Sequence, residues 1–316
     1  MTRRGPGPER APGPEQGSGP AAAVPWQRIA VGTPGIEFEP RPPRQPAYDF
    51  PDTECDGWST KALAVRFASV RGAKHRYYGR PRQDAARAAL HQPTGAVAFA
   101  VADGVSAATS AELGAIEACR AALARTLHLL SASPGPVDFP DVARHAARRL
   151  RQVARWRLGG GEPDPAEVSR LYATTLVTGV VHPDPAGPVV ELCRIGDSGA
   201  WLLDLPHGRY HPIFDPKSAG DAPLVGTEVT PLPTVPDPIE RTSVRLTPQL
   251  ALLIGTDGFG DPLGDGDGLV GALFADALAE PPTPLRLAHL LDFSRETFDD
   301  DRTLLVVWPH AAGEER

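Results

Sequence analysis

The chain has 316 residues, 41% of them apolar, enough to bury a sizeable core in one large domain or two small ones. A formal charge of −7 disfavours a broad nucleic-acid interface, and the absence of a run of about 18 apolar residues disfavours a membrane span. Three scattered cysteines, Cys55, Cys119 and Cys193, form no CxxC pair, which argues against a disulfide framework and a thiolate zinc site; the start lacks an apolar signal core, so the expected location is the cytoplasm.

Residues 1–50 are dense in Pro and Gly, lack an apolar period and close on PRPPRQP, so they read as a disordered tail ahead of a folded domain over 51–316. The spacing of Pro40, Pro43 and Pro46 fits a PxxP ligand, but such spacing arises easily in Pro-rich linkers. A strand-like run covers Lys61–Val70, and a buried-strand run covers Ala96–Ala102 and stops at Asp103-Gly104. Leu113, Ile116, Cys119, Leu123, Leu127 and Leu130 then recur at helical spacing as far as Pro134. A second amphipathic helix spans Asp141–Leu158, with Val142, Ala146, Leu150 and Val153 on one side and arginines on the other, read as a solvated face. A meander of strands follows at Leu171–Val181, Val189–Ile195 and Ala200–Asp204, with turns that favour antiparallel neighbours. Residues 206–240 are irregular and Pro-rich. Strands at Arg241–Leu246 and Leu250–Gly255, helices near Leu269–Leu278 and Leu285–Phe298, and a strand at Thr303–Trp308 complete the pattern. Helix pairs grouped between runs of strands indicate an α+β layered fold.

Aspartates stand at the ends of these elements: Asp103 in AFAVADG, Asp257 in LLIGTDG, Asp299 to Asp301 in FDDDRTLL and Asp197 in CRIGDSG. One Asp at a strand end is ordinarily a turn residue. Four such places together, two of them DG steps after buried apolar runs, put carboxylates where a sheet meets solvent. Hard oxygen ligands with no His or Cys nearby in sequence suit Mg²⁺ or Mn²⁺ better than Zn²⁺.

The segments GAKHRYYGRPRQDA (72–85), VADGVSAATSAELGA (101–115), YATTLVTGV (172–180), RIGDSGAWLLD (194–204), LIGTDGF (253–259) and DDRTLLV (300–306) resemble, in order and wording, the metal-dependent protein phosphatases of type 2C, in particular their bacterial branch. The resemblance covers about Trp58 to Trp308 and implies two face-to-face antiparallel β-sheets flanked by helices, with two metal ions, Mn²⁺ or Mg²⁺, at one end. By position it implies that Asp103 bridges both metals, that the Gly104 carbonyl binds the second, and that Asp257 and Asp300 complete the first. Asp197 matches the position of a looser third metal, and Asp84 that of an acid hydrogen-bonded to metal-bound water. Asp301, where many relatives have Asn, is read as supporting the ligands. The implied reaction is in-line attack of a metal-bridging hydroxide on phosphoserine or phosphothreonine, from two ions about 3.5–4 Å apart. A phosphorylated protein substrate and a partner Ser/Thr kinase in a signalling pair are implied with it, and neither nucleic acid nor membrane.

The match departs at several places. Gln83 stands where relatives have a Glu that serves the second metal, and Gly79 where they place a phosphate-gripping Arg, a role for which Arg80, Arg76 or His75 are the candidates. Val105 and Ser106 replace the His that follows DG in eukaryotic members. The stretch 208–240, usually a flap over the site, is short. Asp261, Asp265 and Asp267 lack EF-hand spacing and read as turn residues. Two rival readings are an inactive phosphatase-like module that binds phosphoproteins, and a metal-dependent phosphatase of small molecules; no P-loop favours nucleotides.

Overall fold

The structure, a computed structural model, describes residues 27–42, 49–132, 135–214 and 230–310. Strands β1 (Thr53–Ser59), β2 (Leu63–Val70), β11 (Arg302–Pro309), β10 (Leu250–Gly255), β7 (Gly199–Asp204) and β8 (Arg209–Pro212) form one sheet in that order. A second sheet runs β3 (Asp84–His91), β4 (Ala96–Asp103), β5 (Leu176–His182), β6 (Val189–Ile195), β9 (Glu240–Arg245). All pairings between these strands are antiparallel. The helices are α1 (Ala73–Tyr78), α2 (Ala111–Ala132), α3 (Phe139–Arg157), α4 (Pro165–Tyr172), α5 (Asp257–Leu263), α6 (Leu269–Ala277) and α7 (Pro284–Leu291).

Strand alternation sorts the side chains into layers. In β4, Val97, Phe99 and Val101 join Leu252 and Ile254 of β10 and Leu305 and Val307 of β11 in the core between the sheets. The alternate residues Ala96, Ala100 and Ala102 lie in a second cluster with α2 and α3, and their small size lets α2 pack close. On the other outer face, Ala251, Leu253, Leu304 and Val306 pack with residues of α5, α6 and α7. Both faces of both sheets are covered, so the central strands read as continuous apolar runs.

The stretch 206–240, read as irregular, holds β8, and three further local readings change. The strand expected from Leu171 begins at Leu176, because Asp164 and Glu167 form a capping box, with Pro165 in the first turn, and nucleate α4. The helix expected to reach Phe298 stops at Leu291. Beyond it, Ser294 pairs with Ala30, which brings the third change.

Residues 27–42, expected to be part of a tail, lie on the domain. Val31 is buried, its N–H bonds the Ser294 carbonyl at 3.0 Å, and the Ser294 N–H returns to Ile29 at 2.7 Å. Arg28 pairs with Asp292 at 3.2 Å, and the Arg41 N–H bonds Arg76 on α1 at 3.1 Å. The low apolar content of this strap hid it, since backbone hydrogen bonds and one buried Val, not a hydrophobic period, hold it. Residues 1–26 and 43–48, with Pro43 and Pro46, lie outside the described residues. Deleting 1–26 is expected to leave the melting temperature unchanged, whereas deleting 1–42 should lower it by roughly 5 °C, the size expected for about 2 kcal/mol in a domain of this length. Equal melting temperatures for the two truncations would show that the strap adds nothing to stability.

Candidate metal centre

Strand direction brings the acids to one end of the sandwich. Strand β4 ends at Asp103 opposite Asp84, the first residue of β3, and β10 ends just before Asp257. Strands β7 and β11, antiparallel to β10 and its neighbours there, begin just after Asp197 and Asp301. Two close approaches require glycine. A Cβ on Gly104 would lie 2.5 Å from the Ala111 carbonyl oxygen at the start of α2, and one on Gly258 would lie 1.8 Å from that of Asp301.

The carboxylates interact directly. Those of Asp103 and Asp257 are within hydrogen-bonding reach of each other; burial, then the charges of Asp84 and Asp257, push Asp103 well above the usual carboxylate range. Burial likewise raises Asp257, with Asp197, Asp300 and Asp261 adding to it and the contact with Asp103 opposing. Asp84 is pushed up to about 8 by burial and by the charge of Asp301, against the hydroxyls of Thr256 and Thr303, each 2.8 Å from its Oδ2. Such crowding of like charge is stable only if protons or cations neutralise it.

Supporting contacts come from other motif residues and from β2. Thr175 Oγ1 accepts from the Asp103 N–H at 2.9 Å and meets Ser198, next to Asp197, at 2.8 Å, so YATT and GDS position the DG step. Arg82 donates to Ser69 at 2.5 Å, and Ser69 meets Thr303 at 2.6 Å, which extends the network from Asp84 to a buried guanidinium. Sequence reasoning missed Thr256, Thr303, Ser69 and Arg82 as a group because they sit on β2, β11 and the approaches to β3 and α5, far apart in the chain.

Asp301 belongs to the scaffold. Its Oδ1 accepts from the Gly72 N–H at 2.7 Å and its Oδ2 from the Gln83 N–H at 2.6 Å, while His75 Nδ1 lies 2.9 Å from Oδ2. His75 is buried, with Nε2 3.9 Å from Asp300; burial would lower its pKa, but Asp301, Asp300 and Asp84 outweigh that and raise it. A ring so enclosed, in ion-pair contact with Asp301 and with neither nitrogen in a well-formed hydrogen bond, does not offer itself to a phosphate. Arg76 is committed to Asp52 and Asp292 at 2.6 and 2.7 Å. Arg80 is exposed, and its side chain has no ion-pair partner among the described residues. Gly79 has φ +61°, and a Cβ there would lie 2.8 Å from the Pro42 carbonyl oxygen of the strap, so no side chain fits. Gln83 is buried, and its Oε1 accepts from Ser106 at 3.2 Å. Of the expected flap, residues 215–229 lie outside the described residues.

The model of the protein phosphatase 2C family matches residues 71–292, most of the chain and most of the acids just described. The chain belongs to the protein phosphatase 2C family. Solved structures agree in fold. RsbX in complex with magnesium is 12% identical over 81% of this chain and 100% of its own, with a TM-score of 0.51. The catalytic domain of the serine/threonine phosphatase PstP in complex with two manganese ions is 19% identical over 79% of this chain and 99% of its own, TM-score 0.51. The phosphatase Stp1 from Staphylococcus aureus is 15% identical over 81% and 100%, TM-score 0.50. No curated protein matches the sequence. Among the described residues no helix is long and apolar enough to cross a membrane.

The crowding gives this 2C-family phosphatase a testable pH dependence. With the folded pKa of Asp84 raised from 3.8 to about 8, its contribution to stability is complete at low pH and is lost as pH rises through about 8; His75, also raised, acts in the same direction. In chelator the melting temperature should therefore fall between about pH 5.5 and 8.5, and excess Mn²⁺ should reverse most of that fall at the upper end. A pH-independent melting temperature in chelator would mean the acids do not repel one another in solution.

Proposed function

We propose that the chain is a serine/threonine protein phosphatase in which Asp103, the Gly104 carbonyl, Asp257 and Asp300 hold two divalent cations, Mn²⁺ or Mg²⁺, with Asp197 facing a looser third. The observation that carries this reading is the gathering of acids at one end of the sandwich: Asp103 opposite Asp84 at the paired ends of β4 and β3, Asp257 just beyond β10 and Asp300 just before β11, with the pKa values of Asp103 and Asp257 raised by burial and by neighbouring charge. The donors are hard oxygens, and His75, the nearby nitrogen ligand, is engaged by Asp301, which fits Mg²⁺ or Mn²⁺. When bound, such ions lower the pKa of a shared water and take up charge on the phosphoryl oxygens. The chain's own residues supply the rest. Thr175 and Ser198 fix the backbone of Asp103, and Thr256 and Thr303 orient Asp84 through its Oδ2, so that Asp84 can hold the attacking water by a hydrogen bond. Arg80, exposed and uncommitted, is the guanidinium available to the substrate phosphate. A Ser/Thr kinase must supply the substrate, since the bond broken is a phosphoester to a protein hydroxyl.

Release of phosphate from a phosphothreonine peptide with Mn²⁺ or Mg²⁺, and none with excess chelator, is the expected result. Tight peptide binding with no turnover under either metal would support a binding module instead, and preference for nucleotides or sugar phosphates would support a small-molecule enzyme. Gln83→Glu adds a charge in place of a neutral amide and should lower the metal concentration for half-maximal activity by about fivefold, more for Mg²⁺ than Mn²⁺. An unchanged or raised midpoint would place residue 83 away from the ions.

A further inference from the structure

Helix α3 carries a feature that the catalytic machinery does not use. Arg144, Arg148, Arg151 and Arg155 recur at helical spacing on its outer face, in a chain of net charge −7. Arg144 and Arg151 have no ion-pair partner among the described residues, and Arg148, 53% exposed, reaches only Asp141 at 3.9 Å. Arg155 donates to the Gly160 carbonyl. Between Arg125 and Arg148, His145 is held below its usual pKa, by burial first and then by those two guanidiniums, as expected in a positive field. The stripe leads to Trp156, 63% exposed and stacked on Arg149 at 5.2 Å, an unusual place for the side chain most enriched at binding hot spots.

The C-terminal end of α3 is tied to the chain beside the metal centre. Helices α2 and α3 pack against each other, and Arg157 at the end of α3 donates to Ser110 Oγ at 2.9 Å. Ser110 precedes Ala111, whose carbonyl lies against Gly104, so two contacts separate the end of the stripe from the acids. The turn beyond is open, with nothing within 4 Å of where Cβ atoms would stand on Gly159, Gly160 and Gly161.

From this continuity and sign of charge we infer that the outer face of α3 docks an acidic polypeptide segment of the phosphoprotein substrate while the phosphoresidue enters the metal centre. The inference rests on the phosphatase reading. At about 1.5 Å per residue, Arg144 to Arg155 spans roughly 17 Å, the length of about five extended residues, so the matching substrate carries acids over about five positions beside the phosphoresidue. Trp156 caps the site-proximal end and Arg157 ties it to α2. Nucleic acid is the less favoured polyanion, because the chain as a whole is negative.

The test compares the full-length protein with R144E/R148E/R151E on an aryl phosphate, a phosphothreonine peptide in a neutral context, and the same peptide beside five Glu. The wild type should favour the acidic peptide by about tenfold in kcat/KM, through KM and diminishing with salt, and the triple variant should lose that preference while keeping aryl phosphate turnover. Equal kcat/KM on the two peptides, or a preference that survives charge reversal, would overturn the inference. Binding of a fluorescent unphosphorylated acidic peptide, read by anisotropy, needs no turnover and separates the two failures. If no substrate is hydrolysed, the phosphatase reading fails, while at least tenfold weaker binding in the variant still supports docking and equal binding removes it. Tighter binding of an oligonucleotide or of anionic vesicles to the same face would also overturn it.

Discussion

Asp103→Asn is expected to reduce metal-dependent turnover by a hundredfold or more while raising the melting temperature of the metal-free protein. The loss follows from its place: Asp103 ends β4 opposite Asp84 and is pressed by the charges of Asp84, Asp257 and Asp300. If Asp103 bridges two ions as proposed, its removal costs the ions and their positioning together. The gain follows from the same crowding, since an amide at 103 needs neither a proton nor a cation to be buried beside Asp84 and Asp257, and can donate to Asp257. The backbone should hold, because Thr174 and Thr175 bond the main chain of Asp103 and not its carboxylate. Turnover above about a tenth of the wild-type value would remove Asp103 from the bridging position.

Asp301→Ala is expected to cost roughly 3 kcal/mol or more of stability, a drop of roughly 6–12 °C, whereas Asp300→Ala next to it should leave the metal-free melting temperature level or raised. Asp301 is 3% exposed and accepts from two buried backbone N–H groups, of Gly72 and Gln83, besides meeting His75. Each donor left without an acceptor costs about 1–3 kcal/mol, and His75 would lose the carboxylate that orients it. Asp300 is half-buried, and it adds repulsion to Asp103 and Asp257. The pair therefore separates scaffold from centre: the 301 variant should fail in stability first, and the 300 variant in metal-dependent turnover with its fold intact. Equal melting temperatures for both variants would mean that Asp301 is not the acceptor on which Gly72 and Gln83 depend.

The sequence by itself determined the layered α+β class and most central strands, because β4, β10 and β11 are apolar on both faces and stop at Asp, Gly or Pro. It also placed Asp103, Asp197, Asp257 and Asp300 at strand ends, where local turn chemistry puts them. Tertiary structure decided the rest. Strand β3 pairs with β4 along its whole length, yet DAARAALH carries little strand propensity, so the register that sets Asp84 opposite Asp103 is visible only once β4 is beside it. The separate parts of Asp300 and Asp301, adjacent in sequence, come from which of them meets the N–H groups of Gly72 and Gln83. The strap shows the same limit from the other side. Its composition gives no apolar period, and it is ordered by pairing with Ser294, a partner 264 positions from Ala30, so only the folded chain could show that residues 27–42 belong to the domain.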